Sequence, residues 1–151
     1  MTTPAFSIKA ADLVRAMARV SGAIPSRATI PILNHVEITA GAGEITIRAT
    51  ALDIEAMTSV EADVQRPGST TVHGQMLASI ASKLPKSGTI TVAVADGVAK
   101  LTCGRSSYDL ATLPAEDFPQ FKALDNDAST IVIDAAALKA AIGATIGSTS
   151  T

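Results

Sequence analysis

The feature that most constrains this chain is internal repetition. Phe6-Ser7-Ile8-Lys9-Ala10-Ala11-Asp12-Leu13, Thr70-Thr71-Val72-His73-Gly74-Gln75-Met76-Leu77 and Ile131-Val132-Ile133-Asp134-Ala135-Ala136-Ala137-Leu138 share one layout. In each, a short β-type run enters a segment of helical spacing, and a Leu follows a β-branched residue five positions later. The starts at Ile8, Val72 and Ile133 lie 64 and 61 residues apart. A period of that size marks a supersecondary unit used more than once.

The first two starts are followed by the same order of elements. Helical spacing runs from Ala10 to Val20, with Leu13, Met17 and Val20 on one face, and from Gln75 to Leu84, with Met76, Ile80 and Leu84 on one face and Leu77 beside them. Pro85 ends the second helix. Period-two runs rich in Val, Ile and Thr span residues 36–39, 44–49, 89–94 and 98–103, and each predicts a half-buried strand. Ala40-Gly41-Ala42-Gly43 and Ala95-Asp96-Gly97 supply the turn residues of two antiparallel hairpins. Each unit therefore reads β-α-β-β-β. The third opens with a strand at residues 130–133 and a helix from Ala135 to Ile142, with Asp134 as its N-cap, and is cut off 18 residues after Ile133. Two units, each with one helix to cover one apolar sheet face, predict a compact α+β domain.

Composition supports a packed core. Of the 151 residues 47% are hydrophobic, and with no Trp, one Tyr and three Phe the core must be aliphatic. No apolar run approaches the roughly 20 residues of a membrane span, and no secretory signal is visible at the N-terminus. Cys103 stands alone, so there is neither an internal disulfide framework nor a cysteine metal cluster, and no cofactor is expected. These features favour a soluble, cytoplasmic chain. Net charge is −2, but its distribution is uneven. Lys9, Arg15, Arg19 and Arg27 dominate before Gly41, whereas Glu44, Asp53, Glu55, Glu61 and Asp63 face only Arg48 in the next stretch. One basic and one acidic surface are expected.

Several segments, in order, resemble the bacterial DNA polymerase III beta subunit, the sliding clamp family. Val20-Ser21-Gly22 followed by Arg27-Ala28-Thr29-Ile30-Pro31-Ile32-Leu33 resembles its Arg-Pro-Thr-Leu-Pro-Ile-Leu signature. Thr50-Ala51-Leu52-Asp53-Ile54-Glu55 resembles its Thr-Asp-Leu-Glu stretch less closely. Gly68-Ser69-Thr70-Thr71-Val72 resembles the strand entering its second helix. Cys103-Gly104-Arg105-Ser106-Ser107-Tyr108 and the more specific Leu113-Pro114-Ala115-Glu116-Asp117-Phe118-Pro119 resemble two further signatures.

The resemblance implies a DNA clamp fold, with antiparallel sheets outside and two helices on the inner face. Residues 1–125 correspond to the family's first domain, and residues 126–151 to a linker and the opening strand and helix of the second. Family members carry three such domains and close head to tail as dimers around duplex DNA. The implied role is a non-catalytic processivity factor that tethers DNA polymerase III. The cleft that binds polymerase and clamp loader lies between the family's second and third domains, of which this sequence holds only the 129–151 stub. An alternative is a stand-alone module that binds clamp or clamp-loader subunits without encircling DNA.

Arg27 matches the family's DNA-contacting Arg. Arg15 and Arg19 lie four apart on the first helix, opposite Leu13 and Met17, and suit diffuse attraction to phosphates without base readout. Lys83, with Lys86, adds charge at the end of the second helix. Gln75 stands where many members have a basic DNA-touching residue; its amide can hydrogen-bond a phosphate but releases no counterion. Arg105, Tyr108 and Leu110 resemble the subunit-contact strand, as candidates for pairing with a partner's third domain. His35 and His73 have no companion ligands, and Asp53 with Glu55 suggests a solvated acidic face rather than a catalytic pair. No nucleophile motif is present.

Overall fold

A computed structural model describes residues 3–120 and 131–148. The chain divides into two units, with the break between Phe121 and Lys122. The boundary expected after Asp125 lies outside the described residues.

In the first unit the chain runs β1 (Ala5–Lys9), α1 (Ala10–Val20), β2 (His35–Gly41), β3 (Glu44–Thr50), β4 (Glu55–Glu61), β5 (Asp63–Arg66), β6 (Gly68–His73), α2 (Gly74–Lys83), β7 (Thr89–Ala95), β8 (Val98–Cys103) and β9 (Ser106–Leu113), with short 3-10 turns at Ser21–Ala23, Pro31–Asn34 and Ala115–Asp117. The nine strands form one sheet in the order β4-β3-β2-β6-β9-β8-β7-β1-β5. The duplicated β-α-β-β-β unit is therefore present, and β5 is an addition to it. Ala62 alone separates β4 from β5, so the two outermost strands of the sheet are consecutive in the chain.

The two repeats within the first unit are interlocked by strand exchange. β1 pairs with β7, placing Phe6 opposite Val92 and Ile8 opposite Ile90. β6 pairs with β2 in the equivalent register, Thr70 opposite Ile38 and Val72 opposite Val36. Each leading strand thus lies on the other unit's hairpin. The half-sheets β4-β3-β2-β6 and β9-β8-β7-β1-β5 join where β6 and β9, both of the second repeat, share only two pairs, Thr71 with Leu113 and Val72 with Thr112.

Period two sends Val36, Ile38, Ala40, Ile45, Ile47 and Ala49 inward from one half-sheet and Ile90, Val92, Val94, Ala99, Leu101 and Cys103 from the other. Both hairpins turn through two residues of positive φ, Ala42-Gly43 and Asp96-Gly97, as type I′ geometry requires. Helix α1 presents Ala10, Leu13, Ala16, Met17 and Val20 to this core. It has no side-chain cap; its first amides donate instead to Gly88 O (2.8 Å) and Lys86 O (3.3 Å) of the loop after α2.

The face of α2 differs from the expected one. Gly74, Leu77 and Ala81 are buried, with Leu84 just beyond, whereas Met76 is 51% exposed. The rotation follows from close approach at the helix start. A Cβ on residue 74 would lie 2.7 Å from Ile24 Cδ1 and 3.1 Å from Val36 Cγ1, so only glycine lets the helix enter there without displacement.

The second unit contains α3 (Ala135–Thr145), capped as expected by Asp134, whose Oδ1 accepts from Ala137 N at 2.9 Å. The strand expected before it does not form: residues 131–134 carry no strand, and a strand exists only with a pairing neighbour. Every residue of α3 is exposed. The helix register of α2 is directly testable by chemical denaturation. Leu77→Ala should cost about 2–5 kcal/mol, and Met76→Ala less than about 0.5 kcal/mol. The reverse order would show that the Met76 face is the buried one.

Candidate nucleic-acid interface

The two helices pack side by side against one face of the sheet, and their outer sides carry the candidate basic residues. On α1, Arg15 pairs with Asp12 one turn earlier while its side chain stays 74% exposed. Arg19 is also exposed, but its guanidinium donates to Thr58 Oγ1 of β4 at 3.3 Å. On α2, Gln75 and Lys83 are exposed, with Met76, Ser79 and Ser82 between them. Arg27 is exposed on the loop between the first two 3-10 turns and makes no ion pair among the described residues. The helix face is thus sparsely charged, and both α1 cations already have a partner.

The expected subunit-contact residues do not form one patch. Arg105 lies in the Gly104-Arg105 turn, before β9 begins at Ser106, and is exposed. Tyr108 is half-buried against the core and Leu110 is 3% exposed within it, because positions two apart share the inward face. The Leu110 side chain is therefore unavailable to a partner. What remains free is backbone: from Ser106 to Ala111, β9 pairs with β8 on one side and with no described strand on the other.

The acidic stretch separates into two environments. Glu44 and Glu61 face each other across β3 and β4 and line an open hollow with Asp12, Asp63 and Lys9. Lys9 thus belongs to the acidic side. Glu55 does not lie on a solvated face as expected. It is 20% exposed and stands 3.8 Å from Arg48, which holds Glu37 at 2.7 Å. Phe118 covers this group with its ring 5.5 Å from the Arg48 guanidinium, on the sheet face away from the helices. The last sequence signature therefore folds its aromatic residue back over a half-buried ionic cluster. The Thr50–Glu55 signature makes the β3–β4 turn, where Leu52 takes a φ of 78° and Thr50 Oγ1 accepts from Leu52 N at 3.0 Å. Cys103 is free and buried, and no group of three or more metal-ligating side chains comes together among the described residues. No described helix is long and apolar enough to cross a membrane.

A family model described as DNA polymerase III beta subunit, N-terminal domain, matches residues 4–122. The chain belongs to that family. It is 33% identical to the beta sliding clamp of Vibrio cholerae over 118 residues, which is 78% of this chain and 32% of that relative. It is 34% identical over 119 residues to the beta sliding clamp of Vibrio harveyi, covering 78% of this chain and 81% of that sequence. Among solved structures, Caulobacter crescentus pol III beta superimposes with a TM-score of 0.84 at 30% identity, over 92% of this chain and 37% of that one. The chain thus spans about a third of the length of the Vibrio cholerae relative and of the Caulobacter crescentus structure.

Sequence reasoning missed the Glu37–Arg48–Glu55–Phe118 cluster. A signal for its core was present: Glu37 and Arg48 stand equally far from the Ala42-Gly43 turn, which makes them cross-strand neighbours in a two-residue hairpin. Removing one member of a covered ion pair leaves the other uncompensated. Arg48→Ala should lower unfolding free energy toward the lower end of roughly 3–5 kcal/mol in a urea titration. A loss below about 1 kcal/mol would mean the group behaves as a solvated surface pair.

Proposed function

We propose that this chain supplies one arc of a ring that encircles duplex DNA, with residues 1–125 as the first clamp domain and residues 126–151 as the entry to a second. The observation that carries this reading is the match of residues 4–122 to the clamp N-terminal domain, in a fold whose paired helices expose Arg15, Arg19, Gln75 and Lys83. In this reading those residues and Arg27 face the phosphates. The role is non-catalytic, cytoplasmic and sequence-independent: the ring tethers DNA polymerase III, and the clamp loader and polymerase engage parts of the ring beyond this domain. The free β9 backbone from Ser106 to Ala111 offers the edge for a neighbouring clamp subunit, flanked by Arg105 and with Tyr108 beneath.

Sparse charge suits sliding. A ring needs attraction without fixed register, and phosphate contacts supply affinity while carrying no sequence information. Pairing with Asp12 offsets the Arg15 charge, and the hydrogen bond to Thr58 holds the Arg19 guanidinium toward β4 while leaving it charged.

Arg27→Ala should weaken duplex binding uniformly across sequences, leave the melting temperature unchanged and reduce the salt slope by about 0.9 per lost phosphate contact. An unchanged affinity removes Arg27 from the interface. On closed circular duplex, protein assembled into a ring should survive a high-salt wash and be released by linearisation. Loss from circles and linear duplex alike at moderate salt would favour the stand-alone module.

A further inference from the structure

His35 opens β2 and His73 closes β6, and the two stand directly opposite each other with ring centroids 5.8 Å apart. The hydrogen bonds around them fix both tautomers. Thr71 Oγ1 donates its one proton to Leu113 O at 2.9 Å and accepts from Leu113 N at 3.0 Å. Its contact with His35 Nδ1 at 3.2 Å therefore requires the proton to be on that nitrogen. His73 Nδ1 accepts from Met76 N at 3.4 Å and caps α2, so this nitrogen must be unprotonated.

The equivalent seam between β1 and β7 has Lys9 opposite Thr89, and α1 starts on the backbone carbonyls of Lys86 and Gly88 with no side-chain cap. One helix start is thus held by a titratable ring and the other is not. We propose that His35 and His73 form an acid-sensitive latch at the β2–β6 seam, whose protonation releases the first turn of α2 while leaving α1 in place. Protonated His73 loses its acceptor nitrogen, and Met76 N then faces a donor. A charge on both rings adds repulsion across the strand pair.

Charged groups on the surrounding elements do not offset this. On β2, Glu37 is bound to Arg48 of β3. Glu116 and Asp117 lie on the 3-10 turn packed against β6, both exposed. Arg27 stands on the loop before β2, and the first turn of α2 carries no charge. Burial, followed by the neighbouring His73, lowers the His35 pKa below its ordinary 6.5, and a backbone hydrogen bond at Thr71 opposes them only in part. With a folded value below the unfolded one, the stabilisation is complete above about pH 6.5 and is lost as pH falls from there through the lower folded value.

The test is an NMR titration of both rings between pH 8 and 5, with amide exchange read in α1 and α2. His35 should titrate below pH 6.5. At pH 5.5, Met76 protection should be roughly fivefold lower than in His73→Asn, which keeps a cap acceptor that does not titrate. Protection in α1 should match between the two proteins. His73→Asn, which removes the neighbouring ring charge, should also raise the pKa of His35. Equal Met76 protection in the unmodified protein and His73→Asn, or an unmoved His35 titration in His73→Asn, would overturn the latch. In the unmodified protein alone, independent titration of both rings near pH 6.5 with unchanged α2 protection would do the same.

Discussion

Reciprocal strand exchange is the constraint on which the rest of this structure depends. A β-α-β-β-β unit folded on itself would leave its leading strand beside its own hairpin. Here β1 lies on β7 and β6 lies on β2, so each unit completes the other's sheet. The exchange brings both helices onto one sheet face and sets them side by side. It also makes the core common property: Phe6 and Ile8 bury themselves among residues more than eighty positions away, such as Ile90 and Val92. Contacts of that sequence separation repay their loop-closure entropy only when the whole sheet forms.

From the same exchange follows a functional consequence. A nine-stranded sheet with consecutive end strands gives a stiff backing, and its helix side displays side chains at fixed spacing without a flexible arm. The charge on that side is modest, because Asp12 offsets Arg15 and Arg19 is tied to β4. A tight nucleic-acid binder would concentrate unpaired cations there. In the proposed reading, a surface that holds DNA loosely is better served by this arrangement, with Arg27 exposed on the loop and in no ion pair among the described residues.

Much of this was legible in the sequence, and for definite reasons. The repeat and the Ala42-Gly43 and Asp96-Gly97 turns specify the hairpins, since two-residue turns of positive φ leave little freedom of register. The α1 stripe is equally plain. The rotation of α2 was not, because the sequence offers two apolar faces, Met76-Ile80 and Leu77-Ala81, and close packing at Gly74 chooses between them. Strand β5 was missed because Asp63-Val64-Gln65-Arg66 has almost no apolar pattern; its place is set by the end of β4 and by pairing with β1. Leu110 was assigned to a partner from resemblance, and alternation in β9 turns it inward. The His35–His73 pairing needed the inter-unit register, which no local pattern encodes.

If strand exchange builds the arc, neither unit has a fold of its own. The most direct measurement is to express residues 1–62 and 63–120 separately and record amide spectra and thermal unfolding of each and of the mixture. The account predicts collapsed spectra and no cooperative transition for either segment alone, with dispersed signals and a cooperative melt when the two are combined. A cooperative transition in either isolated segment would contradict it.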